Sequence, residues 1–263
     1  MARIKAVFFD IDGTLVSFKT HRIPQSALDA VAALRSHGIK VYIATGRPVA
    51  FIDNLGGLEY DGMITVTGAH CLTRGGQVIY HQPVSTGSVE RVVEHLTRGA
   101  DAYPVIFVCG DEMFVTELGD DVRAVGRLLD IKMPPVRPAA HARGKDVLQL
   151  ISFFRADREP HFMSALMPDC VSMRWHPSFT DVIAGGVDKS VGIDKVLAYE
   201  GLSLDEAMAF GDGGNDVSML SHVPCGIAMG NACEELKEVA AYVTASVDED
   251  GVARALRRFG LIR

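Results

Sequence analysis

A short apolar run near the N-terminus ends in two carboxylates and a glycine, in the sequence AVFFDIDGTLVSF at residues 6–18. Residues 6–9 have the length and the aromatic and branched side chains of a strand that is buried on both faces. Because side chains alternate along a strand, Asp10 and Asp12 are predicted to point the same way, about 7 Å apart. Like charges at that spacing repel each other, so a cation, a shared proton or solvent at a loop end must hold them.

Strands alternate with helices in the first and last thirds of the chain. The strand-like segments KVYIA, MITV, AMAF, CGIA and YVTA are separated by stretches with apolar residues at helical spacing, such as SALDAVAALRSHG and SVGIDKVLAYEG. A short helix is also predicted in FIDNLGGL. This alternation predicts an α/β fold whose core is a Rossmann-like, doubly wound parallel sheet.

The middle of the chain has a different pattern. The segment VIFVCGDEMFVTE predicts a hairpin around Gly110 and Asp111, while VLQLISFF, VSMRWH and FTDVIAG predict further strands of a second, smaller sheet. Hairpins and helices that share one segment are typical of an α+β unit. We therefore predict a core formed by residues 1–82 and 186–263, interrupted by an inserted α+β domain at residues 83–185.

Composition narrows the class of protein. A chain of 263 residues with 48% hydrophobic content can bury one large core, or one core and a smaller neighbour. The net charge of -7 and the lack of a lysine or arginine run argue against a general nucleic-acid binder. The five cysteines form no Cys-x-x-Cys pair, and neither a signal peptide nor a membrane-length apolar run is visible. We expect a cytoplasmic monomer or weak homodimer that binds neither nucleic acid nor membrane.

Polar residues follow three of the predicted strands. Asp10 and Asp12 follow the first strand, Thr45 follows KVYIA, and Asp212 follows AMAFG. Ligands of open parallel α/β sheets bind outside the carboxyl ends of the strands, so these distant residues are expected to converge at one edge.

Three further residues have two readings each. Asn215 and Asp216 lie in the loop that enters a helix, where both residue types are common N-caps. The other interpretation is that they belong to the site formed with Asp212. Lys189 lies at a predicted helix start, where a cation is unfavourable relative to the helix dipole. A solvated lysine is the plain interpretation, and a ligand for an anion is the functional one.

The acids suit phosphoryl transfer. A carboxylate nucleophile can form an aspartyl-phosphate only where nearby positive charge lets it meet a phosphate dianion. Oxygen ligands from Asp10, the backbone carbonyl of Asp12 and Asp212 suit an octahedral Mg²⁺ that keeps its waters and one phosphate oxygen.

The remaining residues complete that chemistry. Lys189 would lie opposite the metal, while the Thr45 hydroxyl and the backbone amide of Gly46 would donate to the phosphoryl oxygens. Asp12 would protonate the leaving oxygen and later accept a proton from water.

Four motifs occur in order along the whole chain: FFDIDGTL, ATGR, GVDKSVGI and GDGGNDVSML. In these the chain resembles the haloacid dehalogenase superfamily of phosphatases, and within it the Cof-like sugar-phosphatase group with a type IIB cap. The resemblance implies that the inserted domain is a cap which closes over the active site and selects the substrate. The implied catalytic residues are Asp10 and Asp12; the implied phosphate or substrate ligands are Thr45, Gly46, Arg47, Lys189 and Asn215; the implied Mg²⁺ ligands are Asp10, Asp12, Asp212 and Asp216.

One departure from the group is visible. Many Cof-like members carry Asn-Gly after the third strand, whereas VTGAHCL places Thr67 before Gly68 in this chain. Arg47 is either a phosphate ligand or a structural arginine at a strand end. Four inserted-domain residues are candidate substrate contacts, although a structural role is the simpler interpretation for each: Arg143, Lys145, Arg174 and His176.

The expected function is Mg²⁺-dependent hydrolysis of a small phosphorylated metabolite, a sugar phosphate, through an aspartyl-phosphate. A phosphomutase of the phosphomannomutase type shares the covalent intermediate and is the nearest alternative. A phospho-accepting signalling module would be shorter and would place its aspartate on a later strand. A non-catalytic binding protein would be expected to lack at least one of Asp10, Asp12, Lys189 and Asp212, and all four are present.

Overall fold

The computed structural model describes residues 4–99, 102–110, 112–129 and 131–263. The chain divides into two compact units, one formed by Met1–His81 with Val187–Arg263 and the other by Gln82–Gly186. We call the first the core unit and the second the inserted unit. No helix in the described ranges has the length and apolar character that crossing a membrane requires.

The core unit is built on one large sheet. Within the described residues its strands are β1 (Ala6–Phe9), β2 (Lys40–Ala44), β3 (Gly62–Thr65), β4 (His70–Thr73), β5 (Val78–His81), β11 (Ala207–Gly211), β12 (Cys225–Ala228) and β13 (Tyr242–Val243). Their order across the sheet is β13-β12-β11-β1-β2-β3-β4-β5. The six strands from β13 to β3 are parallel, whereas β4 and β5 add an antiparallel edge.

Helices cover both faces of this sheet, as a doubly wound fold requires. Its helices are α1 (Gln25–Ser36), α5 (Lys189–Glu200), α6 (Val217–His222), α7 (Glu234–Val239) and α8 (Gly251–Arg258). Alternate residues of β1 enter the two cores: Val7 and Phe9 pack on the side of α1 and α8, and Ala6 and Phe8 pack on the side of α5, α6 and α7. The α/β, Rossmann-like prediction is confirmed.

The inserted unit is an α+β domain with its own core. Its helices are α2 (Thr86–Arg98), α3 (Asp120–Leu129) and α4 (Glu159–Leu166), and its strands are β6 (Val105–Cys109), β7 (Met113–Val115), β8 (Val147–Ser152), β9 (Cys170–His176) and β10 (Phe179–Ala184). The strands form an antiparallel sheet in the order β7-β6-β8-β10-β9. Side chains from α2 and α4 pack on one face of this sheet. The β6–β7 hairpin was predicted around Gly110 and Asp111, of which Asp111 lies outside the described residues.

Two details of the core unit differ from the sequence prediction. The helix predicted in FIDNLGGL is wrong, because only a 3₁₀ turn at Val49–Phe51 forms there and an irregular segment follows it. The two glycines of FIDNLGGL explain this, since glycine is a poor helix former. The β4–β5 hairpin was not predicted, and its strands place an antiparallel edge beside β3.

Candidate active site

The chain turns sharply after β1. β1 ends at Phe9, and the backbone N–H groups of Leu15 and Val16 both donate to the carbonyl of Ile11. Asp10 and Asp12 therefore both follow the strand, and Asp12 forms an isolated β-bridge with Val16. Gly13 makes the turn feasible: its φ is +83°, and a Cβ there would lie 2.1 Å from an oxygen of Asp212.

Lys189 joins two of the acids in a buried ion-pair network. Its Nζ lies 2.7 Å from Asp10 Oδ1 and 2.5 Å from Asp216 Oδ1. Lys189 and Asp216 are 0% exposed and Asp10 is 6% exposed. The lysine is the first residue of α5, and Asp188 fixes that start by accepting hydrogen bonds from the N–H groups of Ser190 and Val191. Lys189 is thus aimed at the acids and is not a solvated lysine.

Burial dominates the ionisation of this network. Burial raises the pKa of Asp10 well above its usual value, and the Lys189 ammonium acts against that rise. Burial would lower the pKa of Lys189, but the charges of Asp10 and Asp216 outweigh it and the pKa is raised. Burial and then the charge of Asp216 raise the pKa of Asp212 to about 7. In this buried cluster the carboxylates of Asp10, Asp212 and Asp216 lie together, and Lys189 pairs with Asp10 and Asp216.

Asp12 has a separate cationic partner. The guanidinium of Arg47 donates from Nε to Asp12 Oδ2 at 2.7 Å and from Nη2 to Asp12 Oδ1 at 2.8 Å. Its Nη1 donates to the carbonyl of Phe51 at 2.9 Å, which fixes the guanidinium plane. Such two-point pairs are among the stronger and more directional ion pairs. The two acids that follow β1 are therefore held by different cations, Asp10 by Lys189 and Asp12 by Arg47.

Three carboxylates lie close enough to share a cation. One oxygen each of Asp10, Asp212 and Asp216 lies within 4.8 Å of the others. Both oxygens of Asp216 already accept hydrogen bonds, Oδ1 from Lys189 and Oδ2 from the backbone N–H groups of Asp212 and Gly213 at 2.9 and 3.0 Å. Asp216 therefore satisfies backbone donors at a helix entry, as the capping prediction requires, and it also contacts Lys189 within the acid cluster.

The loop after β2 presents the ATGR residues beside the acids. Thr45 is buried, and its Oγ1 accepts a hydrogen bond from the N–H of Arg47 at 3.1 Å. A Cβ on Gly46 would lie 3.3 Å from Thr67 Oγ1 and 3.4 Å from Asn215 Nδ2, so these two side chains border the Gly46 backbone. Asn215 is exposed. The structure thus brings Thr45, Gly46 and Asn215 together, with Thr67 beside them.

The loop after β3 has an unusual backbone. Val66 and Thr67 adopt left-handed φ values of 52° and 50°, which are costly for β-branched residues. Tertiary contacts hold this conformation: the N–H of Thr67 donates to the carbonyl of Thr45, and the N–H of Val66 donates to that of Arg47. Gly68 follows at φ +101°, and a Cβ there would lie 1.9 Å from the carbonyl oxygen of Asp188. The loop thereby packs against the start of α5, next to Lys189.

Sequence reasoning missed two residues that contact Asp212. Thr14 Oγ1 donates to Asp212 Oδ1 at 3.1 Å, and Asn231 Nδ2 lies 3.3 Å from Asp212 Oδ2. Thr14 is part of FFDIDGTL, so its proximity to the acids was a usable signal. Asn231 follows β12, and its position after the carboxyl end of a fourth parallel strand was the only hint.

The four candidate substrate contacts have partners within the inserted unit. Arg143 pairs with Glu90 at 2.6 Å, and Lys145 pairs with Glu112 at 2.5 Å. Arg174 pairs with Glu159 at 2.5 Å, and the His176 ring stacks on Phe179. Each of these contacts supports a structural role.

Comparisons with known proteins identify the family of this chain. The model of the haloacid dehalogenase-like hydrolase family matches residues 7–256. YkrA of Bacillus subtilis (strain 168), a protein named as a phosphatase, is 35% identical over 261 residues, which cover 98% of this chain and 99% of YkrA.

Two solved structures are similar over the full length. The structure of the HAD subclass IIB sugar phosphatase BT4131 is 41% identical and covers 98% of this chain and 100% of its own, with a TM-score of 0.88. That of the phosphatase BT1666 from Bacteroides thetaiotaomicron is 36% identical and covers 99% of this chain and 96% of its own, also with a TM-score of 0.88. The chain therefore belongs to the haloacid dehalogenase-like hydrolases and is a phosphatase of their Cof-like, subclass IIB group.

Proposed function

We propose that this phosphatase hydrolyses a sugar phosphate with Mg²⁺, through an aspartyl-phosphate on Asp10. One observation carries the proposal: Asp10 is buried at the carboxyl end of β1, paired with Lys189 and within reach of Asp212. Burial raises the pKa of this carboxyl group, and burying a carboxylate costs stability. A catalytic role therefore explains Asp10 better than a structural one. Asp10 also lies at the switch point of a doubly wound sheet, where such folds bind their ligands.

The acids fit a hard divalent cation. Their three oxygens span no more than 4.8 Å, while two ligands of one Mg²⁺ lie at most about 4.2 Å apart, so a small contraction suffices. We assign Asp10, Asp212 and the backbone carbonyl of Asp12 as ligands. Asp216 belongs to the acid cluster and is a further candidate ligand through the second lone pair of Oδ1, while its hydrogen bonds hold Lys189 and the Asp212 loop. When bound, Mg²⁺ would neutralise the surplus carboxylate charge and part of the phosphate charge.

Asp10 and Asp12 divide the covalent chemistry. A carboxylate oxygen of Asp10 forms a bond to phosphorus as the bond from phosphorus to the leaving oxygen breaks, and Asp12 gives that oxygen a proton. Asp12 then takes a proton from water, whose oxygen attacks the same phosphorus, and the bond to Asp10 breaks. Lys189 and the donors at Thr45 and Gly46 would stabilise the phosphoryl oxygens throughout.

Arg47 has a specific part in this scheme. The sequence left a phosphate ligand and a structural arginine as alternatives, and the guanidinium contacts both oxygens of Asp12 and the Phe51 carbonyl. We assign it to positioning Asp12 against the leaving group. Thr45 is the better phosphate donor, since its Oγ1 accepts from the Arg47 N–H and retains its own proton to donate.

Replacing Arg47 by lysine tests this assignment through the leaving group. Lysine keeps the charge but loses the two-point contact, so Asp12 should protonate leaving groups poorly. We expect the rate of the first step, measured in a single turnover, to fall about 10- to 100-fold on an alkyl phosphate, and to change far less on 2,4-dinitrophenyl phosphate, whose leaving group needs no proton. Arg74→Lys on the β4–β5 hairpin is the control. An equal loss on both esters, with weaker inhibition by inorganic phosphate, would show instead that Arg47 binds phosphate.

The substrate class rests on relatives. BT4131, which is 41% identical over its whole length, is a sugar phosphatase. We propose that residues 83–185 form the cap that selects the sugar. The alternative, a phosphomutase, would return the phosphoryl group to a sugar hydroxyl and would release little phosphate.

A panel of phosphate esters tests the proposed function. We expect purified protein with Mg²⁺ to show its highest kcat/KM on a hexose or pentose phosphate, and excess chelator to remove that activity until Mg²⁺ is restored. The loss follows because unneutralised carboxylates repel the phosphate dianion. Full turnover in chelator would contradict the metal proposal, and a clear preference for nucleotides would contradict the substrate class. Conversion of a sugar 1-phosphate to its 6-phosphate, with sugar bisphosphate as primer, would favour the mutase.

A further inference from the structure

Asn231 links the acid cluster to the loops around it. Its Nδ2 lies 2.9 Å from the carbonyl oxygen of Gly13 and 3.3 Å from Asp212 Oδ2, and its Oδ1 accepts a hydrogen bond from the N–H of Val247 at 2.9 Å. We infer that Asn231 is a positioning residue that sets the affinity of the site for its divalent cation by holding the carboxylate of Asp212. The inference rests on the proposed metal site.

The carboxylate of Asp212 is held at both ends. Thr14 donates to Oδ1 at 3.1 Å, and Asn231 donates to Oδ2 at 3.3 Å. A carboxylate held by one donor can still rotate about its Cβ–Cγ bond, whereas one donor on each oxygen fixes its plane. Each oxygen keeps a further lone pair, so the two donors orient Asp212 without occupying its capacity for a cation. Partners of this kind commonly affect metal affinity.

The amide of Asn231 is itself oriented by the backbone. The Val247 N–H requires an acceptor and the Gly13 carbonyl requires a donor, so only one orientation of the amide satisfies both. That orientation turns the NH₂ group toward Asp212. Gly230 permits the approach, since a Cβ there would lie 2.6 Å from the N–H nitrogen of Ser246.

A second contact joins the same loops without touching the acids. Ser17 Oγ donates to Asp248 Oδ1 at 2.6 Å, which ties the segment after the first motif to the loop that contains Val247. Ser17 therefore fastens the loop, whereas Asn231 fastens the loop and also orients Asp212. This difference separates a positioning role from a purely structural one.

The test uses the full chain and Mg²⁺ alone. The midpoint unfolding temperature is measured against Mg²⁺ concentration, which yields both the stability of the metal-free protein and the Kd for Mg²⁺. The variants are Asn231→Ala, Thr14→Val and, as the loop control, Ser17→Ala. Asp212→Asn reports on the site itself. No substrate is present, so the readout is independent of turnover.

We expect Asn231→Ala and Thr14→Val each to raise the Kd about 10-fold, and Ser17→Ala to lower only the metal-free midpoint. The inference would be overturned if Asn231→Ala had the same Kd for Mg²⁺ as the wild type while Asp212→Asn no longer bound Mg²⁺. That result would leave the proposed metal site in place. A raised Kd in Ser17→Ala equal to that in Asn231→Ala would also overturn it, because loop anchoring would then explain the effect. Absence of Mg²⁺ binding in the wild type would overturn the metal site and the inference together.

Discussion

Replacing Asp10 by asparagine should abolish turnover, with kcat on every phosphate ester reduced on the order of 10⁴-fold or more. The amide is a poor nucleophile and cannot form the acyl phosphate, so no leaving group, however good, should rescue the variant. Asp12→Asn should behave differently. It should lose about 10²- to 10⁴-fold on alkyl phosphates, because a general acid and base has been removed, and less in the first step on 2,4-dinitrophenyl phosphate.

The two variants can be compared by steady-state and single-turnover kinetics on the same pair of esters. Circular dichroism and the unfolding midpoint establish that each variant is folded. Substantial steady-state turnover by Asp10→Asn would contradict the assignment of the nucleophile. A loss in Asp12→Asn that was identical on both esters in a single turnover would contradict its role as the acid.

Replacing Lys189 by methionine should damage both stability and activity. The ammonium is wholly buried between Asp10 and Asp216, at 2.7 and 2.5 Å. Removing one partner of a buried pair leaves the other charges uncompensated, at a cost of about 3–5 kcal/mol in the free energy of unfolding. Turnover should fall severely, because the phosphate would lose its cation opposite the metal.

The loss of stability should depend on pH. Without Lys189 the pKa of Asp10 should rise further, since the ammonium is what opposes burial. A carboxyl whose pKa is higher in the folded than in the unfolded state destabilises the protein as pH rises from the unfolded toward the folded value. The deficit of Lys189→Met should therefore be larger at pH 8 than at pH 5, and Mg²⁺ should reduce it at pH 8. Denaturant unfolding at both pH values measures this difference.

Lys195→Met is the matched control for that experiment. Lys195 lies on the same helix, is exposed, and stacks its Nζ over the Tyr80 ring at 5.0 Å. Its replacement should leave turnover and the pH dependence near wild type. Equal effects of the two substitutions, or a Lys189→Met variant with normal turnover, would contradict the role given to Lys189.

The fold was largely predictable because its signals are local. Buried strands such as AVFF and AMAF and amphipathic helices such as α1 are visible in the periodicity of apolar residues. The failures occurred where the local signal was weak. FIDNLGGL has helical spacing but two glycines, and the β4–β5 hairpin consists of two short strands at the edge of the sheet.

Convergence of the acids was predictable from topology, but their partners were not. Any parallel sheet brings the residues after β1, β2 and β11 to one edge, which places Asp10, Thr45 and Asp212 together. Whether a cation at that edge pairs with phosphate or with an acid depends on side-chain packing. That is why the sequence left Arg47 as either a phosphate ligand or a structural arginine, whereas the structure shows its guanidinium on Asp12.

Thr67 shows what the sequence pattern hides. Asparagine tolerates the left-handed region better than other non-glycine residues, so the Asn-Gly that the resemblance led us to expect at this loop position would have a conformational reason. Threonine adopts the same backbone here at φ 50°, held by its hydrogen bond to Thr45 and by packing near Gly46. Nothing in the residue type predicted that conformation.

Chemical trapping on the Asp12→Asn variant tests the central claim most directly. The variant is mixed with 2,4-dinitrophenyl phosphate and Mg²⁺, quenched in acid during the first turnover, and digested for mass spectrometry. If Asp10 is the nucleophile, a hydroxylamine-sensitive phosphoryl group should accumulate on the peptide that contains residues 6–18, approaching one per chain, and should be missing when Asp10 is also replaced by asparagine. Release of dinitrophenol with no phosphoryl group on that peptide, or a group that persists without Asp10, would contradict covalent catalysis by Asp10.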